Sequence, residues 1–344
     1  MNKDQPDCVL VAGGAGFVGS NLIKRLLSHG LRVHCVDNFS TGYQAAIVEF
    51  EKLAQFKSFR GDITDSHFMS HFGDHDYAEI YNLACPTGVP NIAPLGEAML
   101  LTSSIGSLNL LRLARNSGAK YLFASTAEIY GDPEVVPQIE TYNGNVDPVG
   151  PRSAYEEGKR FGEALTAQFA RKYSLDARII RVFNTYGPKM SPHDTRVIPQ
   201  MLSRMALQEP VTIYGNGSNT RSFLHVSDLI DGFLTTMKRR QRGEVYNIGG
   251  EDEVAILALF KICQRVTGYN RKPIFRSHFI DDHKRRLPGT ERIRSLGWKP
   301  RIGVEEGIAS SYIDMTMRLR NQAVKSKLSL LSSKPRAINY RMVV

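Results

Sequence analysis

The feature that most constrains this chain is a glycine-rich turn between a strand pattern and a helix pattern near the N-terminus. The string VAGGAGFVGS carries Gly13, Gly16 and Gly19 in the spacing G-x-x-G-x-x-G. The first glycine permits a tight turn, the second lets backbone N–H groups approach a pyrophosphate, and the third lets the helix pack on the strand. The helix N-terminus adds partial positive charge beside the phosphates. The pattern therefore predicts a dinucleotide-binding βαβ unit.

A carboxylate at the end of the next strand run indicates which dinucleotide fits. Asp37 closes the run RVHCVD, 18 residues after Gly19. An aspartate in that position accepts hydrogen bonds from a ribose 2′-hydroxyl and repels a 2′-phosphate, so the sequence favours NAD over NADP. The alternative is a structural glycine turn in which Asp37 is only a cap. Asp62, after the third strand run, could reach the adenine or could cap a helix or turn.

Strand runs and amphipathic helix runs alternate through the first half of the chain. The first strand run is Cys8–Gly13, and helical patterns cover Glu97–Asn116 and Ala154–Tyr173. Strands separated by helices are typical of parallel sheets with helices on both faces. We therefore predict an α/β fold, a Rossmann-type doubly wound parallel sheet with a smaller C-terminal substrate-binding lobe. The predicted division is an NAD-binding domain over 1–184 with returns near 223–250, a nucleotide-sugar-binding lobe over 185–315, and a flexible basic tail over 316–344.

Composition excludes several classes of protein. The chain has 344 residues, of which 42% are hydrophobic and 23% charged, so it is neither disordered nor collagen-like. No window approaches the ~18 continuous apolar residues of a membrane span, and the N-terminus lacks a signal-peptide pattern. The four cysteines form no CxxC pair, which predicts neither a disulfide framework nor a zinc site. We expect a reduced, soluble, cytoplasmic protein with no metal and no membrane partner.

The net charge of +10 is concentrated at the C-terminal end. Residues Arg318–Val344 contain seven basic and no acidic side chains, which leaves the rest of the chain at +3. A nucleic-acid interface requires basic residues clustered on a folded face. The tail is more simply a solvated extension, so we expect no nucleic-acid partner.

A second motif indicates proton chemistry. The string SAYEEGK places Tyr155 and Lys159 four residues apart at the start of a helix, hence on one face. A free phenol has a pKa near ~10, and a neighbouring ammonium together with a positive nicotinamide ring would lower it. Thr126, at the end of the fifth strand run, could hydrogen-bond the same substrate hydroxyl. The combination predicts proton removal from an alcohol, coupled to hydride transfer.

With these motifs in place, the sequence resembles the extended short-chain dehydrogenase/reductase family of nucleotide-sugar enzymes, from about Val9 to Ile308. Within that family several strings are most similar to UDP-glucuronate decarboxylases. The strings are YNLACP (81–86), STAEIYGDPEVVPQ (125–138), GNVDPVGPRSAYEEGKR (144–160), RVFNTYGPKM (181–190), YGNGSNTRSFLHVSDLIDG (214–232) and DDHKRRLP (281–288).

The resemblance implies a reaction in which NAD is recycled. Tyr155, aided by Thr126 and Lys159, would remove the proton of the sugar C4 hydroxyl while the C4 hydride passes to NAD. The resulting β-keto acid would lose CO₂, and protonation at C5 with return of the hydride would convert UDP-glucuronate to UDP-xylose. A homodimer is also implied, formed in the family through two long helices of each subunit.

Further roles are implied residue by residue. Glu128 matches a glutamate beside the sugar, and Arg286 matches an arginine near its carboxylate. Each has a plain structural alternative: a strand-end ion pair for Glu128 and a solvated face for Arg286. Asn184, which could equally be a turn residue, matches a position that contacts the UDP group. Other substrate-binding positions implied by the resemblance are Pro90, Arg196 and Arg221. The implied cofactor-binding set is Gly13, Gly16, Phe17, Val18, Gly19, Asp37, Asn38, Asp62, Ile63, Ala84, Tyr155 and Lys159.

Three departures from the decarboxylase pattern concern the substrate. Ala127 stands where those enzymes have serine, Ile92 stands where they have tyrosine, and 287–289 reads Leu-Pro-Gly instead of Lys-Pro-Asp. The 4,6-dehydratases need an aspartate where this chain has Ala127, which disfavours that activity, whereas alanine occurs there in 4-epimerases. The alternatives are therefore a UDP-sugar 4-epimerase (acting on UDP-glucuronate or a UDP-hexose), then a 4,6-dehydratase or a non-catalytic NAD-binding sensor.

Overall fold

The computed structural model of the protein describes residues 8–277 and 286–332, with side chains described as far as Gln322. The strands are β1 (Cys8–Ala12), β2 (Arg32–Asp37), β3 (Phe56–Arg60), β4 (Tyr77–Asn82), β5 (Lys120–Thr126), β6 (Ala177–Val182), β7 (Thr185–Tyr186), β8 (Thr212–Tyr214), β9 (Thr220–Ser222), β10 (Leu224–His225), β11 (Arg242–Ile248), β12 (Glu253–Ala255) and β13 (Ile274–Arg276). The helices are α1 (Phe17–Ser28), α2 (Ser66–Ser70), α3 (Ile92–Leu101), α4 (Ser107–Ser117), α5 (Ser153–Tyr173), α6 (Val197–Ala206), α7 (Val226–Met237), α8 (Ile256–Thr267), α9 (Glu291–Ser295) and α10 (Val304–Ser332).

Seven of these strands form one parallel sheet in the order β11-β6-β5-β4-β1-β2-β3. From β1 the chain first adds β2 and β3 on one side of β1. It then adds β4 on the other side of β1, so the strand order reverses between β1 and β4. Ligands of open α/β sheets bind in the crevice at such a switch point, beyond the carboxyl ends of the strands. The predicted fold class is confirmed.

The central strand β1 shows why the sheet is covered on both faces. All five of its residues are buried. Val9 and Val11 pack into one core with helices α1 and α7, while Leu10 and Ala12 pack into a second core with α4 and α5. Because alternate residues of a strand point to opposite faces, a strand buried on both sides must be apolar throughout. The run CVLVA meets that requirement.

A smaller lobe follows the sheet. Helices α6, α8 and α10 share a separate apolar core built around Met201, Phe260 and Ile308. Two short strand pairs, β8 with β13 and β9 with β12, belong to this part of the chain. Strand β11 returns to the edge of the main sheet beside β6.

Two helices differ from their predicted bounds. The helical run expected over Glu97–Asn116 begins earlier, at Ile92, and contains a wider π-helical turn over Thr102–Gly106. In that turn Gly106 lies directly against the side chain of Ile63, where a Cβ would be 2.6 Å from Ile63 Cδ1. Close packing of backbone against Ile63, which periodicity alone does not reveal, accompanies the irregular turn.

The predicted boundary at residue 316 also differs from the structure, because α10 continues through Ser332. No glycine or proline occurs between Ile308 and Lys334, so nothing in the sequence ends the helix at 316. Residues 333–344 lie outside the described residues. In the part of the chain that the structure describes, none of the helices has the length and apolar character needed to span a bilayer.

Candidate active site

The glycine-rich turn at the end of β1 fits a dinucleotide pyrophosphate. Gly13 has φ +78° and lies so close to the end of β4 that a Cβ there would be 2.7 Å from the Ala84 nitrogen. A Cβ on Gly19 would be 2.2 Å from the Gly13 carbonyl oxygen. Neither position can hold a side chain without moving backbone, so helix α1 begins immediately beside the strand end. The first N–H groups of a helix have no partner within the helix and can bind an anion.

Asp37 lies next to this turn at the end of β2. Its carboxylate accepts hydrogen bonds from the backbone N–H groups of Ala15 (2.9 Å) and Phe39 (2.8 Å). Burial raises the pKa of Asp37, and the two N–H donors oppose that rise. The carboxylate is therefore fixed beside the glycine-rich turn, where the sequence predicts a contact with ribose.

The neighbouring polar residues form a short network at the end of β3. Asn38 Nδ2 donates to Asp62 Oδ2 at 2.8 Å, and the backbone and hydroxyl of Thr64 donate to Asp62 Oδ1, each at 2.8 Å. Although burial acts to raise the pKa of Asp62, these donors lower it overall. Asp62 thus caps a turn, which was one of its two predicted roles. Ile63 is buried, while Phe17 and Val18 are half-buried in the first turn of α1.

Tyr155, Thr126 and Lys159 come together beyond the end of β5. Tyr155 and Lys159 are both on α5, and the Thr126 hydroxyl lies near enough to the Tyr155 phenol to act against a rise in its pKa. Lys159 Nζ donates to the Ala124 carbonyl at 2.8 Å and lies 5.0 Å from the centre of the Phe123 ring. Burial lowers the pKa of Lys159, with Cys85 and Glu163 opposing. The expected i, i+4 pair therefore lies at the strand end that carries Thr126.

In the chain without a bound dinucleotide, the pKa of the Tyr155 phenol lies above its ordinary value. Burial of the phenol raises its pKa, and the neighbouring Cys85 and Glu128 act in the same direction. The hydrogen bond from Thr126 and the charge of Arg196 work against the rise without cancelling it. The physical reason is desolvation, which disfavours the phenolate more strongly than these neighbours favour it.

Glu128, two residues after Thr126, lies between two arginines. Arg286 forms a two-pronged ion pair with it, with Arg286 Nη2 2.6 Å from Glu128 Oε2 and Nη1 bonded to Oε1. Arg152 Nη2 also binds Glu128 Oε2, while Arg152 Nε donates to Glu156 Oε1 at 3.0 Å. Burial acts to lower the pKa of Arg152, but the carboxylates of Glu128 and Glu156 raise it overall. The side chains of Glu128, Arg152 and Arg286, which we call the Glu128 cluster, are all largely buried.

Gln138 fixes the segment that carries Arg286. The Gln138 backbone N–H donates to the Leu287 carbonyl (2.8 Å) and its side-chain oxygen accepts from the Leu287 N–H (2.9 Å). The Gly289 N–H donates to the Gln138 carbonyl at 2.7 Å. Arg286 is 9% exposed, so the alternative of a solvated basic face does not hold for it. Residues 281–285 of the predicted DDHKRRLP string lie outside the described residues.

Of the four residues predicted to bind the sugar nucleotide, three follow β6 in the chain and one follows β4. Asn184 is half-buried between β6 and β7 and accepts a backbone bond from Leu224. Arg196 pairs with Asp194 and lies 5.9 Å from the centre of the Phe17 ring, between the smaller lobe and the glycine-rich turn. Arg221, on β9, donates to its neighbour's carbonyl and is half-buried. Pro90 is exposed in a short turn after β4.

This geometry can be compared with known proteins. A family model described as the NAD dependent epimerase/dehydratase family matches residues 9–249, which include the glycine-rich turn, Asp37, Tyr155 and β11. The chain belongs to that family. The predicted resemblance is thereby confirmed, and NAD is the cofactor of this epimerase/dehydratase chain.

Individual members of the epimerase/dehydratase family match most of the chain. UDP-glucuronic acid decarboxylase 4 of Arabidopsis thaliana is 39% identical over 90% of this chain and 69% of its own length. The crystal structure of a Thermotoga maritima UDP-glucose 4-epimerase with UDP-glucose superposes with a TM-score of 0.83 at 29% identity, covering 91% and 99% of the two chains. A Thermus thermophilus UDP-glucose 4-epimerase complex with NAD gives 0.78 at 26% identity, covering 90% and 98%.

Sequence reasoning missed three members of the site. Arg152 lies three residues before Tyr155 in the GPRSAYEEGK string, and a charged residue beside that motif was the available signal. Gln138 ends another of the quoted strings, but only the fold places it against Leu287. Cys85 follows β4 with its Sγ 3.8 Å from Ser103 Oγ, and burial raises its pKa. Among the described residues, no group of three or more His, Cys, Asp or Glu side chains could hold a metal ion.

Proposed function

We propose that this protein decarboxylates UDP-glucuronate to UDP-xylose, with NAD recycled in each turnover. The observation that carries the proposal is Arg286, a buried guanidinium paired with Glu128 near the Tyr155 base. Its Nε is buried and makes no hydrogen bond to any described residue, so the group retains a donor for a ligand. A substrate carboxylate is the partner that such a donor binds most strongly. The similarity to the Arabidopsis decarboxylase supports the same conclusion.

In the first step Tyr155 takes the proton from the sugar C4 hydroxyl. Bound NAD⁺ supplies an acceptor for the C4 hydride and later returns it, so the overall reaction involves no net oxidation. The Thr126 hydroxyl, which lies close to Tyr155, orients the phenol toward the substrate hydroxyl. Lys159 carries a positive charge in the same buried region, which favours the phenolate as it forms.

The second step breaks the bond between C5 and C6. Oxidation at C4 makes the sugar a β-keto acid, and its carboxylate leaves as CO₂ because the bonding electron pair moves onto the C4 carbonyl as an enolate. A proton then adds at C5, the hydride returns to C4, and Tyr155 gives its proton back to the C4 oxygen, which balances the atoms and electrons of the conversion. The resemblance implies that Arg286 and Glu128 lie beside the substrate carboxylate and C5, so we assign them to this step. The nucleotide is assigned to Pro90, Asn184, Arg196 and Arg221.

A homodimer is part of the proposal. Helices α3 and α5 pack together so closely that a Cβ on Gly96 would be 3.2 Å from the Cβ of Ala154. Leu101 and Ile105 on one side and Phe161 on α5 remain exposed despite their apolar side chains. An exposed apolar surface of this kind is typical of a subunit interface, and pairing of α3 and α5 across two subunits would bury it.

A second candidate is a UDP-sugar 4-epimerase, in which the C4 ketone is reduced on its other face without loss of CO₂. The observation that favours it is Ala127, which is 5% exposed in the turn before Glu128 and offers no hydroxyl to the sugar. The similarity to the Thermotoga epimerase also supports it.

One incubation distinguishes the two candidates. UDP-glucuronate labelled with ¹³C at C6 is mixed with the purified protein and NAD, and the label and the anomeric protons are followed by NMR. Decarboxylation yields labelled CO₂ or bicarbonate and the anomeric signal of UDP-xylose. Formation of UDP-galacturonate with the label retained would contradict decarboxylation. The Tyr155→Phe variant is the control, because it should bind NAD with near wild-type affinity and give neither product.

A further inference from the structure

Lys189 has an unusual backbone and an unusual burial for a lysine. It follows Pro188 in the turn after β7, has φ +72°, and is 9% exposed. Residues other than glycine seldom adopt this left-handed conformation, and they keep it where the surrounding structure determines it. Burial lowers the pKa of Lys189, while its partner Glu49 acts to raise it. Contacts from the surrounding structure must therefore hold the Lys189 side chain in place.

The side chain of Lys189 fastens the segment that follows the ribose-recognising strand. Its Nζ donates to the Ala46 carbonyl at 2.9 Å and to Glu49 Oε1 at 2.5 Å, and lies 4.4 Å from the centre of the Phe50 ring. This segment, residues 43–54, begins with a hydrogen bond from the Tyr43 N–H to the Ala15 carbonyl in the glycine-rich turn (3.1 Å). Lys189 thus contacts a segment that is tied directly to the cofactor turn.

The backbone of the same turn is held by two helices. The Lys189 N–H donates to Asp314 Oδ2 on α10 at 2.7 Å, and Asn21 Nδ2 on α1 donates to the Pro188 carbonyl at 3.0 Å. Helix α1 starts at the glycine-rich turn, while α10 belongs to the core of the smaller lobe. The turn therefore lies where the cofactor half and the smaller lobe meet.

We propose that Lys189 is a positioning residue that couples dinucleotide binding to sugar-nucleotide binding. It connects residues 43–54 to the turn that leads from Asn184 toward Arg196, two of the positions assigned above to UDP, and to that extent it rests on the proposed function. When the cofactor orders residues 43–54, the anchored turn is ordered with them, so UDP binds a prearranged site. Coupling of this kind is reciprocal, and bound UDP must in turn hold the dinucleotide more tightly.

This coupling would serve the proposed chemistry, because the reduced cofactor has to stay bound until it returns the hydride. Release of the cofactor between the two hydride transfers would strand the sugar as a ketone. A link that strengthens cofactor retention while the nucleotide is present prevents this loss. The expectation for the holoenzyme is therefore that UDP slows cofactor dissociation.

The test uses full-length protein loaded with NADH, whose release is followed by fluorescence with and without saturating UDP. In the wild type we expect UDP to slow release at least about fivefold. Lys189→Asn removes the ammonium and keeps a residue that tolerates the left-handed backbone. The ratio of its NADH release rates without and with UDP should fall to within about twofold of one. Lys189→Arg keeps the charge and the ring contact and should retain most of the effect. Lys52→Asn, at an exposed position of the same segment, is the matched control and should behave like the wild type.

The outcomes separate coupling from folding and from chemistry. Retention of the wild-type ratio in Lys189→Asn, or no effect of UDP in the wild type, overturns the inference. If Lys189→Asn does not fold, Glu49→Gln provides the second variant, because the Glu49 side chain is 55% exposed and its loss leaves the core intact. An unchanged ratio in Glu49→Gln then overturns the inference, and a reduced ratio supports it. A wild type that shows the UDP effect but releases no CO₂ from UDP-glucuronate contradicts decarboxylation and leaves the coupling standing.

Discussion

Glu128 and Arg286, 158 residues apart in the sequence, form a two-pronged ion pair, with Arg286 Nη2 2.6 Å from Glu128 Oε2. The pair joins the turn after strand β5 to a segment that follows β11 in the chain. Arg152 shares the same carboxylate from the start of α5. The Glu128 cluster thus connects the turn after β5, the start of α5 and the segment that carries Arg286. Substitutions in it should therefore change both the free energy of unfolding and the rate of turnover, which can be measured separately.

Glu128→Gln and Arg286→Gln should be destabilising alone and less so together. Glu128→Gln leaves two buried guanidiniums without their shared carboxylate, for a loss of about 3 kcal/mol in the free energy of unfolding. Arg286→Gln leaves Glu128 paired with Arg152, for about 2 kcal/mol. In the double variant the loss should be smaller than the sum, since the two share one interaction. Urea unfolding of the four proteins measures this, and additive losses would contradict a direct pair.

Arg152→Gln should lower kcat/KM for UDP-glucuronate by about 100-fold with NAD affinity unchanged, because it loosens Glu128 and leaves the dinucleotide turn intact. Arg152→Lys should be only partly active, since an ammonium cannot bridge Glu128 and Glu156 as a planar guanidinium does. Steady-state kinetics with cofactor titration provides the measurement. Arg171→Gln, an exposed change on the same helix, is the control. An equal loss of kcat/KM in Arg152→Gln and Arg171→Gln would show that Arg152 has no specific role in the site.

Gly19→Ala should weaken NAD binding. A Cβ at this position would be 2.2 Å from the Gly13 carbonyl oxygen, so the helix and the turn must separate. Overpacking of this kind costs about 1–3 kcal/mol, which corresponds to a loss of affinity of about 5-fold to 150-fold. Gly303→Ala is the control, because a Cβ there has no neighbour within 4 Å. Calorimetric titration with NAD⁺ compares the two, and similar affinities would refute the packing argument.

The stability of the protein should fall between pH 6.5 and about pH 4 through His34. This residue, whose Nδ1 is 2.8 Å from the Tyr77 hydroxyl, has its pKa lowered to about 4 by burial, by His75 and by nearby basic residues. Above pH 6.5 the imidazole is neutral in both states. Below pH 6.5 the unfolded chain binds a proton at His34 that the folded protein does not bind until about pH 4. The free energy of unfolding therefore decreases as the pH falls.

His34→Gln keeps a hydrogen-bonding group and removes the titration. Solvent screening at this partly exposed site reduces the expected difference between wild type and variant to about 1–2 kcal/mol across the interval. Urea unfolding at pH 7 and pH 4.5 measures it. The prediction fails if wild type and His34→Gln lose the same stability on acidification.

The sequence was sufficient wherever the information is local. The glycine spacing, the strand that ends at Asp37 and the Tyr155–Lys159 pair are each set by residues a few positions apart, because turns and helix faces depend on short-range geometry. The sequence predicted the parallel sheet for the same reason, since apolar strand runs alternate with amphipathic helices. The wide turn at Thr102–Gly106 was missed, because it accompanies packing on the distant Ile63.

The electrostatics of the site depend on distant residues and could be decided only by the tertiary structure. In the chain without a bound dinucleotide, burial raises the pKa of Tyr155, and the spacing of Tyr155 and Lys159 on the helix does not reveal that burial. Similarly, the sequence left open whether Arg286 lies near the substrate carboxylate or on a solvated basic face. In the structure Glu128 pairs with Arg286, and Gln138 holds the adjacent Leu287. Desolvation and pairing depend on which residues surround a charge, and those residues come from separate strands, helices and loops. The amino-acid sequence by itself therefore determined the fold and the chemical groups available, and the three-dimensional packing determined their partners and their charge.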